Sequence, residues 1–69
     1  MKILESLRYD RRMTQAELGQ KAGIPQSTIS YWEQGHGGPK PEEVARLARA
    51  LDVSPETLIP KIEDLPNKQ

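Results

Sequence analysis

Residues 26–34 carry a set of hydrogen-bonding side chains on what the spacing predicts to be a single helix. Ile29, Trp32 and Glu33 are three or four positions apart and share its inner face. The outer positions hold amides, hydroxyls and one phenol, with no lysine or arginine: Gln26, Ser27, Thr28, Ser30, Tyr31 and Gln34. A merely solvated face is more often rich in Glu and Lys. This set suits contact with base edges, since glutamine can bond N6 and N7 of adenine, a contact worth roughly 1–3 kcal/mol of discrimination.

A second helix and a tight turn stand directly before this segment. Leu18 and Ala22 are four positions apart and therefore share one helical face, and Gly23 then interrupts the pattern. Residues 23–25 are too few for anything but a sharp bend. A helix, a glycine turn and a second helix form the helix-turn-helix pattern, in which the second helix enters the major groove of DNA.

The rest of the chain predicts three more short helices, which makes an all-α compact bundle of five. Helix 1 covers residues 2–11, with Ile3, Leu4 and Leu7 as its apolar stripe. Helix 4 covers residues 41–51, and a fifth helix opens at residues 54–56 and ends at Pro60. Residues 61–69 are expected to be a polar tail after a domain that spans residues 1–60.

Local signals define the first of the two central helices more closely. Thr14 and Glu17 have the spacing of a capping box at its start. Gly19 lies inside it and should cost about 1 kcal/mol of helix propensity, so its small size predicts a close approach of helix 3. Gly23 is expected to end the helix in a left-handed conformation. Pro25 cannot cap helix 3 through its side chain, although its fixed φ suits a helix start.

Composition excludes several classes of protein. The chain has 69 residues and no cysteine, so it is at most one domain, without disulfides or thiolate metal sites. There is no signal peptide and no apolar run that could span a membrane, and a cytoplasmic location is expected. No nucleophile stands beside a base and no phosphate loop is present, so an enzyme is not expected, and neither is a cofactor.

The net charge is zero, but it is unevenly distributed. Residues 1–40 carry six basic and four acidic side chains, whereas residues 41–69 carry four basic and six acidic ones. The positive half therefore contains the two central helices, which is consistent with binding to DNA. A neutral chain should bind DNA only modestly without base contacts, so those contacts must supply more of the specificity.

The runs at residues 15–18 (QAEL), 23–24 (GI) and 26–35 (QSTISYWEQG) resemble the Cro/repressor-like (XRE) helix-turn-helix family. Arg8 precedes them, and residues 47–54 (LARALDVS) follow with the family's spacing. The resemblance covers residues 2–60. It implies a lambda-repressor-like DNA-binding domain whose helix 3, residues 26–34, lies in the major groove.

The resemblance, taken with the faces of helix 3, assigns candidate DNA contacts. Base reading is expected from Gln26, Ser27 and Tyr31, although Tyr31 could also be an aromatic residue that only packs on the surface. In the family, the glutamine matching Gln15 braces the one matching Gln26 and touches a phosphate. The expected backbone contacts are Gln15, Arg11, Arg12, Thr28, Ser30, Gln34, His36 and Lys40.

Two of these assignments have open alternatives. Arg11 and Arg12 could merely complement the dipole at the end of helix 1 instead of binding phosphate. His36 could be an ordinary exposed loop histidine, and without a second histidine or cysteine it does not indicate a metal site.

Glu33 is an acid on the inner face of helix 3, where an unpaired charge is costly. The family commonly pairs such a glutamate with an arginine of helix 1. The resemblance therefore implies a structural ion pair between Arg8 and Glu33.

The function expected is that of a sequence-specific transcriptional regulator, a repressor that binds double-stranded DNA. One recognition helix reads few base pairs, so a homodimer is expected on a near-palindromic operator with half-sites about 10 bp apart. Its dimer surface is expected at Leu58, Ile59, Ile62 and Leu65. The alternative is an antitoxin-like or adaptor module whose main partner is another protein, a toxin or other regulator, bound through the tail.

Overall fold

The computed structural model describes residues 1–58. Over this part of the chain it contains four α-helices and no strand: α1 Lys2–Asp10, α2 Gln15–Ala22, α3 Gln26–Glu33 and α4 Pro41–Leu51. A single 3-10 turn follows at Pro55–Leu58. The all-α class is therefore confirmed, and helices 2, 3 and 4 lie within one residue of where the sequence predicts them.

The start of α2 has the predicted capping box. The Glu17 backbone N–H donates to Thr14 Oγ1 at 3.0 Å, and the Thr14 N–H donates to Glu17 Oε1 at 2.8 Å. Two of the otherwise unpaired groups at the helix N-terminus are satisfied in this way. This fixes the direction in which the chain enters α2, and so the position of the turn that follows.

All four α-helices described here end in the same way, in a Schellman motif. One residue adopts positive φ, and the next donates its N–H to the carbonyl five positions earlier. The left-handed residues are Arg12, Gly23, Gly35 and Asp52, with φ of 56°, 71°, 95° and 58°. The N–H donors are Met13, Ile24, His36 and Val53, and their acceptors, at 2.9–3.1 Å, are Arg8, Gly19, Tyr31 and Ala48.

Gly19 allows the tight contact between α2 and the turn that precedes α3. A Cβ built on Gly19 would stand 2.4 Å from the carbonyl oxygen of Ile24 and 3.4 Å from the backbone nitrogen of Gln26. No side chain fits at the shorter distance, so the cost in helix propensity is offset by close packing of the two helices. The predicted role of Gly19 is confirmed.

The core lies between α2, α3 and α4, with one face of α1 and the 3-10 turn covering it. Its most deeply buried side chains are Leu4, Leu18, Ile29, Leu47, Leu51 and Leu58. Trp32 is also buried, so it packs in the core as its spacing predicts and offers no stacking surface to bases.

Three expectations need correction. The fifth helix is, within the described residues, only the 3-10 turn Pro55–Leu58, because the Thr57 N–H bonds to the carbonyl of Ser54 three positions back. Ile3 is 40% exposed, because it lies one position off the face that carries Leu4 and Leu7.

The third correction concerns the expected dimer surface. Leu58 belongs to the core of the monomer and is therefore not available to a second copy. The other three residues of that surface, Ile59, Ile62 and Leu65, lie outside the described residues, as does the expected tail.

Candidate nucleic-acid interface

A buried ion pair joins α1 to the end of α3. Arg8 donates from Nε to Glu33 Oε2 at 2.7 Å and from Nη2 to Glu33 Oε1 at 2.9 Å. Arg8 Nη1 also donates to the carbonyl oxygen of Met13 at 2.9 Å. The two side chains are only 7% and 4% exposed. The predicted pair is thus present with the bidentate geometry that makes arginine–carboxylate pairs strong.

Both charges of this pair are stabilised where they lie. The hydrogen bond to Glu33 raises the pKa of Arg8 above its ordinary value. Burial by itself would raise the pKa of Glu33, but the hydrogen bonds from Arg8 and Gln15 outweigh burial and hold that pKa below its ordinary value. Glu33 is therefore a carboxylate at neutral pH.

Gln15 connects this pair to the surface. Its Nε2 donates to Glu33 Oε1 at 3.0 Å. Because a carboxylate can only accept, the NH₂ end of the Gln15 amide must face Glu33. Gln15 and Gln26 line one shallow depression, together with Arg12 and Tyr9. No hydrogen bond joins the two glutamines among the described residues, so Glu33, not Gln26, holds the Gln15 amide.

The outer face of α3 is exposed as predicted. Gln26, Ser27 and Tyr31 are exposed, while Thr28 and Ser30 are half-buried. Within the described part of the chain, the side chains of Gln26 and Ser27 make no hydrogen bond to other protein groups, and their donors and acceptors therefore face solvent.

The candidates for contact with the DNA backbone differ in their hydrogen bonds and in their exposure. Gln34 Nε2 donates to Ser30 Oγ at 3.1 Å, so these two side chains hold each other at the end of α3. Arg12 is exposed, and it borders both the depression with the two glutamines and a neighbouring one lined by Arg11 and Lys21. Arg12 is therefore the cation best placed beside the start of α2.

Arg11 and Lys40 make contacts with groups outside α3. Arg11 Nε donates to the carbonyl oxygen of Leu51, which ties the end of α1 to the end of α4. The sequence did not predict this contact of Arg11. Lys40 donates its backbone N–H to Glu43 Oε1 at 2.9 Å in front of α4.

Two further contacts escaped sequence reasoning. Arg46 donates from Nη1 to the carbonyl oxygen of Gly23 at 3.2 Å and pairs with Glu42 at 2.5 Å, so α4 supports the turn between α2 and α3. The spacing of Glu42 and Arg46, four apart on one helix, was the available signal. The second contact is a stack of the Tyr31 and His36 rings, 4.8 Å apart.

Two further observations concern residues 1–58. None of their helices is long and apolar enough to cross a membrane. The same residues hold no group of three or more His, Cys, Asp or Glu side chains that could bind a metal ion.

An all-α domain of this shape, with a helix-turn-helix and exposed polar groups on its second helix, defines a helix-turn-helix DNA-binding domain. The model of the Helix-turn-helix family matches residues 4–58. The chain therefore belongs to the XRE-type helix-turn-helix family.

A solved structure supports the same class. The restriction-modification controller protein C.AhdI from Aeromonas hydrophila superposes with a TM-score of 0.80 and is 28% identical in sequence. The match covers 84% of this chain and 88% of that one. A comparison with curated proteins found no match. The family and this neighbour together support a DNA-binding transcription regulator, which is not an enzymatic role.

Proposed function

We propose that this protein is a sequence-specific transcriptional repressor that binds a near-palindromic operator as a homodimer, with α3 in the major groove. The observation that carries the proposal is the outer face of α3. Its amides and hydroxyls at the N-terminal end have no hydrogen-bond partners among the described residues, while the helix beneath them is fixed by a buried ion pair. Preorganised, unpaired groups of this kind are what base recognition requires.

Gln26 is proposed as the first base-reading residue, with Ser27 and Tyr31 as the second and third. Gln26 is the first residue of α3 and the N-terminal residues of a recognition helix meet the base edges. Gln15, Arg12 and the pair Ser30–Gln34 are proposed to contact phosphates around it, and Arg11, Thr28 and Lys40 complete the proposed backbone contacts.

A homodimer is proposed because one α3 reads too few base pairs for specific affinity. An apolar groove of about 470 Å³ lies between α4 and the loop that precedes it, and its lining includes Pro39, Val44, Ala45 and Pro55. The groove shares no residue with the outer face of α3, so a second copy could occupy it while α3 is bound to DNA. We propose that this groove is part of the dimer surface. Leu58 also lines it but is only 2% exposed, so the other lining residues would make the contact.

Selection of bound sequences from a random DNA pool at moderate salt tests the base-reading proposal. The wild type should enrich a palindromic motif, and Gln26→Ala should lose one base preference in each half-site. Gln20→Ala is the matched control, because Gln20 is an exposed glutamine on α2, away from α3. If the wild type enriches no sequence, DNA reading is wrong and a protein partner becomes the target of the search.

Sedimentation equilibrium tests the dimer separately. The wild type should be dimeric at micromolar concentration, and Ala45→Glu should weaken association because it places a charge in the apolar groove. Ala16→Glu adds the same charge at another exposed helical alanine and should leave association unchanged. A monomeric wild type, or equal effects of the two variants, would contradict the proposed surface.

A further inference from the structure

In a Schellman motif, the residue after the left-handed position folds back against the last turn of its helix. An apolar contact often accompanies the hydrogen bond that this residue donates. In three of the four Schellman motifs of residues 1–58 this residue is apolar and packs on the core: Met13, Ile24 and Val53. At the end of α3 it is His36, which is exposed. Its partner is not a core side chain but Tyr31, which is 56% exposed.

The contact between these two rings is well defined. The His36 N–H donates to the Tyr31 carbonyl at 3.1 Å, and this bond fixes the backbone of the two residues relative to each other. The ring centroids are 4.8 Å apart and the planes are inclined by 25°, which is a stacked arrangement. Gly37 lies on the same ring, since a Cβ there would be 3.8 Å from Tyr31 Cε2.

Solvent-exposed tyrosines on a helix normally exchange between rotamers, and binding then has to immobilise them. The Schellman motif of α3 instead places the planar His36 ring against Tyr31, on the surface that is proposed to face DNA. We propose that His36 is a positioning residue that holds the Tyr31 ring in its base-reading orientation, so that selectivity at the base read by Tyr31 depends on His36. The proposal rests on the proposed function of α3.

This role differs from a phosphate contact, which is the role the sequence suggested for His36. Removing a phosphate contact weakens binding to all DNA sequences about equally, and it reduces the salt dependence of binding. A positioning role changes the preference at one base position and spares the others. Phenylalanine has a planar ring but no hydrogen-bonding group, so it can replace His36 in the second role but not in the first.

The test compares five proteins by selection from a random DNA pool, followed by titration of the selected site and of single-base variants. They are the wild type, Tyr31→Ala, His36→Ala, His36→Phe and the double variant with both alanines. Tyr31→Ala identifies the base position. His36→Ala should reduce the preference at that position by roughly two- to tenfold, the size expected for loss of an aromatic pair.

His36→Phe should restore that preference, and the double variant should be no worse than Tyr31→Ala, because the two residues act as a unit. Circular dichroism and unfolding midpoints of each variant show that it is folded, as expected for two exposed side chains. A uniform loss for all sequences in His36→Ala, a failure of His36→Phe to rescue, or additive effects in the double variant would each overturn the proposal.

The same experiment separates this inference from the proposed function. If the wild type selects a motif and Gln26→Ala changes it, while His36→Ala leaves every base preference intact, DNA reading stands and the role of His36 is wrong. If the wild type selects no motif, both fall together.

Discussion

Polar side chains at the two ends of α3 differ in burial and in hydrogen bonding. At its C-terminal end, Glu33 is buried and both carboxylate oxygens accept hydrogen bonds from Arg8, with Gln15 adding a third. At its N-terminal end, Gln26 and Ser27 are exposed, and their side chains bond to no other described residue. One short helix therefore carries a polar region whose hydrogen bonds are made within the protein and a polar region that is exposed to solvent.

The difference separates residues that are expected to affect stability from residues that are proposed for recognition. An internally bonded, desolvated group costs stability when it loses a partner, because the remaining group stays buried and unpaired. An exposed, unbonded group costs the folded state almost nothing when it is removed. The Arg8–Glu33–Gln15 network should therefore respond to mutation in unfolding experiments, and the outer face of α3 in DNA binding.

The largest expected effect comes from removing one half of the network. Arg8→Met or Glu33→Leu alone should lower the free energy of unfolding by about 3–5 kcal/mol, because each leaves an uncompensated buried charge. The double variant should lose less than either single variant, since no charge is then left without a partner. Urea denaturation measures all three proteins. A double variant that loses the sum of the two single losses would contradict the interpretation of these residues as one unit.

A smaller loss of stability is expected where α2 contacts the turn that precedes α3. Gly19→Ala should destabilise the fold by about 1–3 kcal/mol, because the new Cβ would stand 2.4 Å from the Ile24 backbone oxygen. Helix propensity alone predicts the opposite sign, a gain of about 1 kcal/mol. Thermal unfolding decides between the two, with Gln20→Ala as the neighbouring control without a clash. A more stable Gly19→Ala protein would show that the turn can open at little cost.

The pH dependence of stability should report the network directly. The pKa of Glu33 is lower in the folded protein than its ordinary value of 4.5, which applies in the unfolded chain. The stability that Glu33 contributes is therefore complete above the unfolded pKa and is lost as pH falls through the folded pKa. Between pH 7 and pH 3, the wild type should lose more stability than Glu33→Gln, which cannot titrate there. Parallel curves for the two proteins would contradict this origin of acid sensitivity.

The sequence predicted the parts of this contrast that follow from periodicity. Spacing alone placed Ile29 and Trp32 inside and Tyr31 outside, because a helix of fixed pitch allows no other arrangement. The partner of Glu33 came from family resemblance, since no local rule connects residues that are 25 positions apart. The role of Gly19 could be predicted because a glycine inside a helix requires a reason of close packing.

Other features depend on tertiary contacts and were missed or wrong. The family resemblance implied that Gln15 braces Gln26, whereas in the structure the Gln15 amide donates to the carboxylate of Glu33, a charged and therefore strong acceptor. The bond from Arg11 to the Leu51 carbonyl had no signal in the sequence, because only the packed fold brings the two groups within reach. The left-handed conformations of Arg12 and Asp52 also had no signal, because residues with side chains rarely adopt positive φ.

The smallest effects are expected at Arg12. Its backbone conformation affects the stability of the fold, while its side chain is proposed to take part in DNA binding. Its φ of 56° is unfavourable for a residue with a Cβ, while its exposed guanidinium is proposed to bind phosphate. Arg12→Gly should raise the stability of the fold by a few tenths to about 1 kcal/mol, after the added freedom of the unfolded chain is subtracted. The same change should weaken binding to all DNA sequences alike and reduce the salt slope by about 1.

Two matched variants separate these effects. Arg12→Ala also removes the guanidinium but keeps the strained φ, so it should weaken DNA binding equally without the gain in stability. Asp52→Gly relieves the same strain at φ of 58°, at the end of α4, and should raise stability while DNA binding stays unchanged. Denaturation curves and salt-dependent titrations of the three variants measure both quantities. A loss of DNA binding in Arg12→Ala that varied with sequence would show instead that this side chain reads bases, and would extend the recognition surface from α3 to the end of α1.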